Sequence, residues 1–125
     1  MARARIDETA GRDAVRTVLA ASEHTDRTPP DRTVTALAVR YLLQVLAEAS
    51  PGKSVEVRVP PFGAVQAVEG PKHTRGTPPN VVELDPATFL AIATGSLDWA
   101  SAVAAGRVHA SGARSDLSAL FPLAY

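Results

Sequence analysis

The stretch Val81-Val82-Glu83-Leu84-Asp85-Pro86-Ala87-Thr88-Phe89-Leu90-Ala91-Ile92-Ala93-Thr94-Gly95 places a strand, a cap, a helix and a stop in one short run. Val81 to Leu84 is a brief apolar run bounded by turn formers, the pattern of a buried strand. Asp85 suits the N-cap, where a carboxylate accepts the unpaired amides of a first helical turn. Pro86 follows with the fixed φ of the first helical position, where its missing amide is no loss. Phe89, Leu90, Ile92 and Ala93 give that helix a buried side, and Gly95 suits the left-handed residue that ends it. A strand that passes directly into a capped helix points to layered α and β elements, so the flanking chain is read for what covers them.

Downstream, Asp98 caps a second short helix with Trp99, Ala102 and Val103 apolar, and Gly106 closes it. Val108 and Ala110 alternate with Arg107, His109 and Ser111, which predicts a further strand. Ser115 or Asp116 then caps a last helical turn that holds Leu117, Leu120 and Phe121.

Upstream, Val55, Val57 and Val59 alternate with Glu56 and Arg58, the pattern of an antiparallel strand with one dry and one wet face. Pro60-Pro61-Phe62-Gly63 reverses the chain, and Ala64 to Val68 returns. Glu69 to Pro79, rich in Gly and Pro, is a loop. Before the hairpin, Asp31 caps a helix over Arg32–Ala49 that is apolar on most sides. Its polar residues, Thr35, Arg40, Gln44 and Glu48, form a narrow strip. A helix wetted on so little of its circumference needs cover on two sides, which puts it between the sheet and a first helix over Asp7–Ser22. In that first helix Ala14, Val15, Val18 and Leu19 form the apolar stripe, and Gly11 weakens the pattern. Glu23 to Pro30 is a polar surface loop.

The chain has 125 residues, 46% of them apolar and 21% charged, the composition of one globular domain. Its 13 basic and 13 acidic residues cancel, so no overall field draws it to nucleic acid or an anionic membrane. Cysteine is absent, which excludes disulfides, thiol catalysis and thiolate metal sites. No apolar run approaches the ~20 residues of a membrane span. The N-terminus turns acidic at Asp7 and Glu8, where a signal peptide turns apolar. A soluble cytoplasmic protein without stable membrane insertion is expected.

Catalytic constellations are sparse. The three histidines, His24, His73 and His109, stand apart. They lack the His-Glu-x-x-His spacing that gathers zinc, so neither a metal nor another cofactor is expected. Gly95-Ser96-Leu97-Asp98 lacks the Gly-x-Ser-x-Gly elbow of a hydrolase serine, and no dinucleotide or phosphate loop is present. Asp31, Asp85, Asp98 and Asp116 are claimed by caps. No catalytic residue is assigned.

One loop, Glu69-Gly70-Pro71-Lys72-His73-Thr74-Arg75-Gly76-Thr77, sets Lys72, His73 and Arg75 between turn formers. It is a candidate anion or headgroup loop, since Arg grips carboxylate or phosphate in two prongs and glycine lets amides approach. The plainer role is a soluble hairpin connection, and an enzyme acting on an anionic substrate there is the weakest reading. The six aromatic residues are too few for stacking platforms on single-stranded nucleic acid. Phe89, Trp99 and Phe121 occupy apolar positions that fit either plain core or the walls of an apolar cavity.

The run from Val81 to Gly95 leads on to Leu97-Asp98-Trp99-Ala100-Ser101-Ala102-Val103, Ala105-Gly106-Arg107-Val108-His109-Ala110-Ser111-Gly112 and Asp116-Leu117. Together they resemble the C-terminal half of sterol carrier protein 2-like domains. Those have a strand, a helix with a Phe-Leu or Trp-Leu pair, a short helix, a Gly-Arg-Val-x-x-x-Gly strand and a Leu-rich end. Val59-Pro60-Pro61-Phe62-Gly63-Ala64-Val65-Gln66 and His73-Thr74-Arg75-Gly76 are similar to the small stand-alone actinobacterial members. The resemblance covers roughly residues 31 to 123.

The resemblance implies a single α+β domain over residues 1–125, with N-terminal helices over about 7–49 and the sheet and short helices over about 54–123. It implies a curved, mainly antiparallel sheet of four to five strands with helices packed on one face. It further implies a non-catalytic carrier that holds a fatty acyl or sterol-like ligand in an internal apolar pocket. On this chain the lining would come from Leu90, Ile92, Ala93, Trp99, Val103, Leu117, Leu120 and Phe121. The alternative is an accessory or protein-interaction module with a filled core, meeting a protein partner or a second copy. It has a precedent in the related domain that ends thiol-dependent maleylpyruvate isomerase-like proteins.

Overall fold

The computed structural model describes residues 4–22, 30–71 and 80–125. The helix with the narrow polar strip, α2 (Arg32–Ala49), lies between the sheet and α1 (Glu8–Ser22). Its N-cap is Asp31, whose carboxylate accepts from the Thr33 amide at 3.1 Å. Three residues of the polar strip bond to chain outside α2. The Gln44 side chain accepts from the Ile6 amide at 2.8 Å and donates to the Ile6 carbonyl at 3.0 Å. Glu48 takes two hydrogen bonds from Arg5, at 2.8 and 3.0 Å, and these hold its carboxyl below the usual range. Arg40 Nε donates to the Phe62 carbonyl at 2.8 Å. The strip therefore straps the N-terminal segment along α2 and ties α2 to the hairpin turn.

Among the described residues four strands form one open sheet: β1 (Val55–Val59), β2 (Gly63–Ala67), β3 (Val81–Leu84) and β4 (Val108–Ser111), in the order β2-β1-β3-β4. β1 pairs antiparallel with β2, and β3 with β4. The β1–β3 pair is parallel, so the antiparallel pattern read from Val55–Val59 holds on one flank only. The cause is topological. The hairpin returns the chain to the end where β1 began, and β3 enters from that end on the other flank.

The returning strand starts at Gly63 and stops at Ala67, one residue ahead of its reading at both ends. Val68 leaves it with a φ of 69°, a left-handed conformation that a β-branched residue rarely adopts. It is held there by hydrogen bonds. Its amide donates to the Ser50 carbonyl at 2.8 Å, and its own carbonyl accepts from the Ser54 hydroxyl at 2.7 Å.

The pleat sends Val55, Val57, Val59, Val82, Leu84 and Val108 into the helices, all buried. Glu56, Arg58, Glu83 and His109 stand on the opposite face, where Arg58 pairs with Glu56 at 2.7 Å. His109 is exposed, on the wet side that the alternation assigned to it. Leu42, Leu43 and Leu46 of α2 meet the strand valines, and with Phe89 and Ile92 they fill the layer between sheet and helices. The architecture is α+β with helices on one face of an open, mainly antiparallel sheet.

Candidate functional site

Helix α3 (Pro86–Thr94) is placed by its caps as read. The Asp85 carboxylate accepts from the Thr88 amide at 3.3 Å and from its hydroxyl, and Arg107 Nε donates to the same hydroxyl at 3.0 Å. Burial pushes the Asp85 carboxyl up, but these donors and the Arg107 charge outweigh it and hold the group below its ordinary value. Gly95 ends the helix in the left-handed region, φ 91°. Asp98 caps α4 (Trp99–Ala104) through the Ser101 amide at 2.6 Å, and Asp116 accepts from the Ser118 amide at 3.0 Å ahead of a 3-10 turn at Ser118–Leu120, whose N-cap position is Leu117. Both carboxyls are lowered by those amides. Three of the four carboxylates read as caps are thus stabilised as anions, the opposite of what a general acid needs.

Two clefts flank α3. One, of about 510 Å³, opens between the C-terminal end of α1 and the first turns of α3. Val18, Leu19, Pro30, Pro86, Ala87, Leu90 and Ala91 line it, with Ser22, Thr35, Asp85 and Ser96 as its polar members. The other, of about 280 Å³, lies between α3, α4 and the 3-10 turn, and holds Ile92, Leu97, Trp99, Phe121 and Pro122. There the Trp99 and Phe121 rings stack nearly parallel, 8° apart, with centroids at 6.0 Å.

The eight lining residues read from the sequence do not enclose one internal space. Ile92, Trp99 and Phe121 meet in the smaller cleft, and Leu90 faces the larger. Ala93 and Leu117 are buried in the core, and Leu120 is half-buried against it. Val103 is 44% exposed, because α4 is a single short helix that turns one side only, Trp99 and Ala102, inward. Phe89 is plain core. The larger cleft depends on Val18, Leu19 and Pro86, which the sequence reading left out of the lining. The apolar stripe of α1 was visible and was read to face α2, but that Val18 and Leu19 also border α3 was not.

Lys72, His73 and Arg75 lie outside the described residues. The described chain that follows them is anchored at Asn80. Asn80 Nδ2 donates to the Ser54 carbonyl at 2.8 Å, and Asn80 Oδ1 accepts from the Arg114 amide at 3.0 Å. Among the described residues no three His, Cys, Asp or Glu side chains gather as a metal site would require, and no helix is long and apolar enough to cross a membrane.

An open sheet backed by helices agrees with the fold of sterol carrier protein-like domains. Residues 31–123 match the bacterial SCP ortholog family, and the chain belongs to that family. No curated protein shows a significant match to it.

Proposed function

We propose that this protein is a non-catalytic carrier for a lipid or other apolar ligand, held in the open cleft between α1 and α3. The observation that carries the reading is that cleft, walled by Val18, Leu19, Leu90 and Ala91, in a chain of the SCP family. Burial of ligand methylenes there supplies the driving force, about 0.8 kcal/mol each. The carboxylates nearest the two clefts are committed to caps, which favours binding without chemistry.

The test is native mass spectrometry of the purified protein together with uptake of a fluorescent fatty-acid probe. Ala87 is exposed and lines the larger cleft, while Ala100 is exposed and lines the smaller. Ala87→Phe should abolish uptake and Ala100→Phe should leave it intact. Uptake blocked by Ala100→Phe instead moves the ligand to the Trp99–Phe121 cleft. No co-purified lipid and no uptake by the unaltered protein overturn the reading.

A second reading, an accessory or protein-interaction module, is favoured by the filled layer between sheet and helices. A single stoichiometric protein partner, recovered with no lipid, supports it.

A further inference from the structure

A third cleft lies away from α3, between α2 and the edge strand β2, with a volume of about 410 Å³. Ile6, Leu43 and Val65 give it an apolar floor. Arg40 and Gln44 are its polar side chains, and among the described residues no carboxylate lines it. Gln44 is occupied on both its donor and acceptor sides by the Ile6 backbone.

Arg40 is occupied on one side only. Its Nε is fixed by the Phe62 carbonyl, which orients the guanidinium plane. Among the described residues its two terminal nitrogens take part in no hydrogen bond and its charge in no ion pair. The local field is positive, since the Arg32 guanidinium sits 5.1 Å over the Phe62 ring and also has no acidic partner there. A half-buried, oriented guanidinium at the end of an apolar groove is complementary to one carboxylate attached to an apolar body.

We propose that this groove binds a small amphipathic monocarboxylate. Its carboxylate meets the Arg40 terminal nitrogens in two prongs, and its apolar body lies on Ile6, Leu43 and Val65. The site is separate from the cleft between α1 and α3, whose one charged lining residue among the described residues is Asp85, an anion that repels a ligand carboxylate.

The experiment is a titration of the ¹⁵N-labelled protein with 4-phenylbutyrate, set against the isosteric alcohol and amine. The acid should shift the amides of Gly63, Ala64 and Val65 and the Arg40 Nε–H signal. It should bind about tenfold more tightly than the alcohol, the scale of one charge-assisted pair, and weaken as salt rises. Arg40→Gln should remove that preference for the acid. Because Arg40→Gln also loosens the Phe62 turn, the comparison of acid, alcohol and amine on the unaltered protein stands by itself. Equal binding of the three probes, or shifts confined to the clefts beside α3, overturns the proposal.

Discussion

Replacing Gly11 by alanine sets two physical effects against each other. Gly11 lies inside α1, where alanine would add about 1 kcal/mol of stability through helix propensity alone. In the fold, however, Gly11 is buried against the Tyr41 ring, itself 1% exposed. A Cβ at Gly11 would fall within the van der Waals envelope of that ring, well inside any allowed contact. α1 and α2 must then separate or Tyr41 must leave its rotamer. Overpacking of this kind costs about 1–3 kcal/mol, and a blocked ring with nowhere to move belongs at the upper end. The net expectation is a loss of about 2 kcal/mol. At about 3–5 °C per kcal/mol for a domain of this length, Tm should fall by about 6–10 °C.

The control is the same substitution in a Tyr41→Ala background. Without the ring the methyl group has room, and Gly11→Ala should stabilise by about 1 kcal/mol. The coupling between the two sites is then about 3 kcal/mol, readable by urea denaturation of the four proteins. If Gly11→Ala raises Tm in the unaltered protein, α1 does not ride on Tyr41. The cleft it walls through Val18 and Leu19 then loses one side, and the carrier reading fails with it.

Four further outcomes follow from the contacts. In a series of acyl ligands each added methylene should tighten binding about fourfold until the larger cleft is full, measured by probe displacement. Asp85, Asp98 and Asp116 have depressed carboxyl pKa values, so the stability they add is present above the ordinary carboxylate range, near pH 4, and is lost as pH falls through their lower folded values. Asp98→Asn, which keeps a capping side chain, should leave Tm near pH 7 almost unchanged and flatten the acid limb of Tm against pH. Gln44→Leu frees both polar groups of Ile6 and should cost about 1–2 kcal/mol, with faster hydrogen exchange at the Ile6 amide. Phe121→Ala strips the stacking partner from Trp99, the only tryptophan, so the emission should move to the red with a loss of about 2 kcal/mol.

Features fixed by residues close in sequence were legible. Asp31, Asp85 and Asp98 cap the helices they were read to cap, and Gly95 ends α3, because a cap is decided within one turn. The narrow strip on α2 placed that helix between sheet and α1, since burial follows from the width of the apolar face. What escaped was set by partners far apart in the chain. The parallel β1–β3 pair depends on which flank of β1 the chain reaches after the hairpin, and alternation along β1 is the same for either neighbour. Arg40, Gln44 and Glu48 were visible as a polar strip, but their partners, Phe62, Ile6 and Arg5, lie about 20 to 40 residues away. Gly11 read as a weak point because its reason is the Tyr41 ring. The lining residues were listed by apolarity along the chain. Apolarity separates inside from outside but not one cleft from another, so Leu90 and Ile92, two residues apart, line opposite flanks of α3.

The match to the family begins at residue 31, and the cleft between α1 and α3 and the groove at Arg40 each need residues before it. Val18, Leu19 and Ser22 wall the cleft beside α3, and Ala4 and Ile6 wall the groove at Arg40. The matched region supplies the sheet, the filled layer and α3. The upstream residues turn two faces of that scaffold into concave surfaces. α1 does so by packing on Tyr41, and the N-terminal segment does so by its bonds to Gln44 and Glu48. Family membership therefore accounts for the scaffold, while the shape of the space beside it is set by contacts made outside the matched region. Ligand preference in this chain should respond more strongly to substitutions at Val18, Leu19 and Ile6 than to conservative changes in the buried β1 valines Val55, Val57 and Val59, which line neither space.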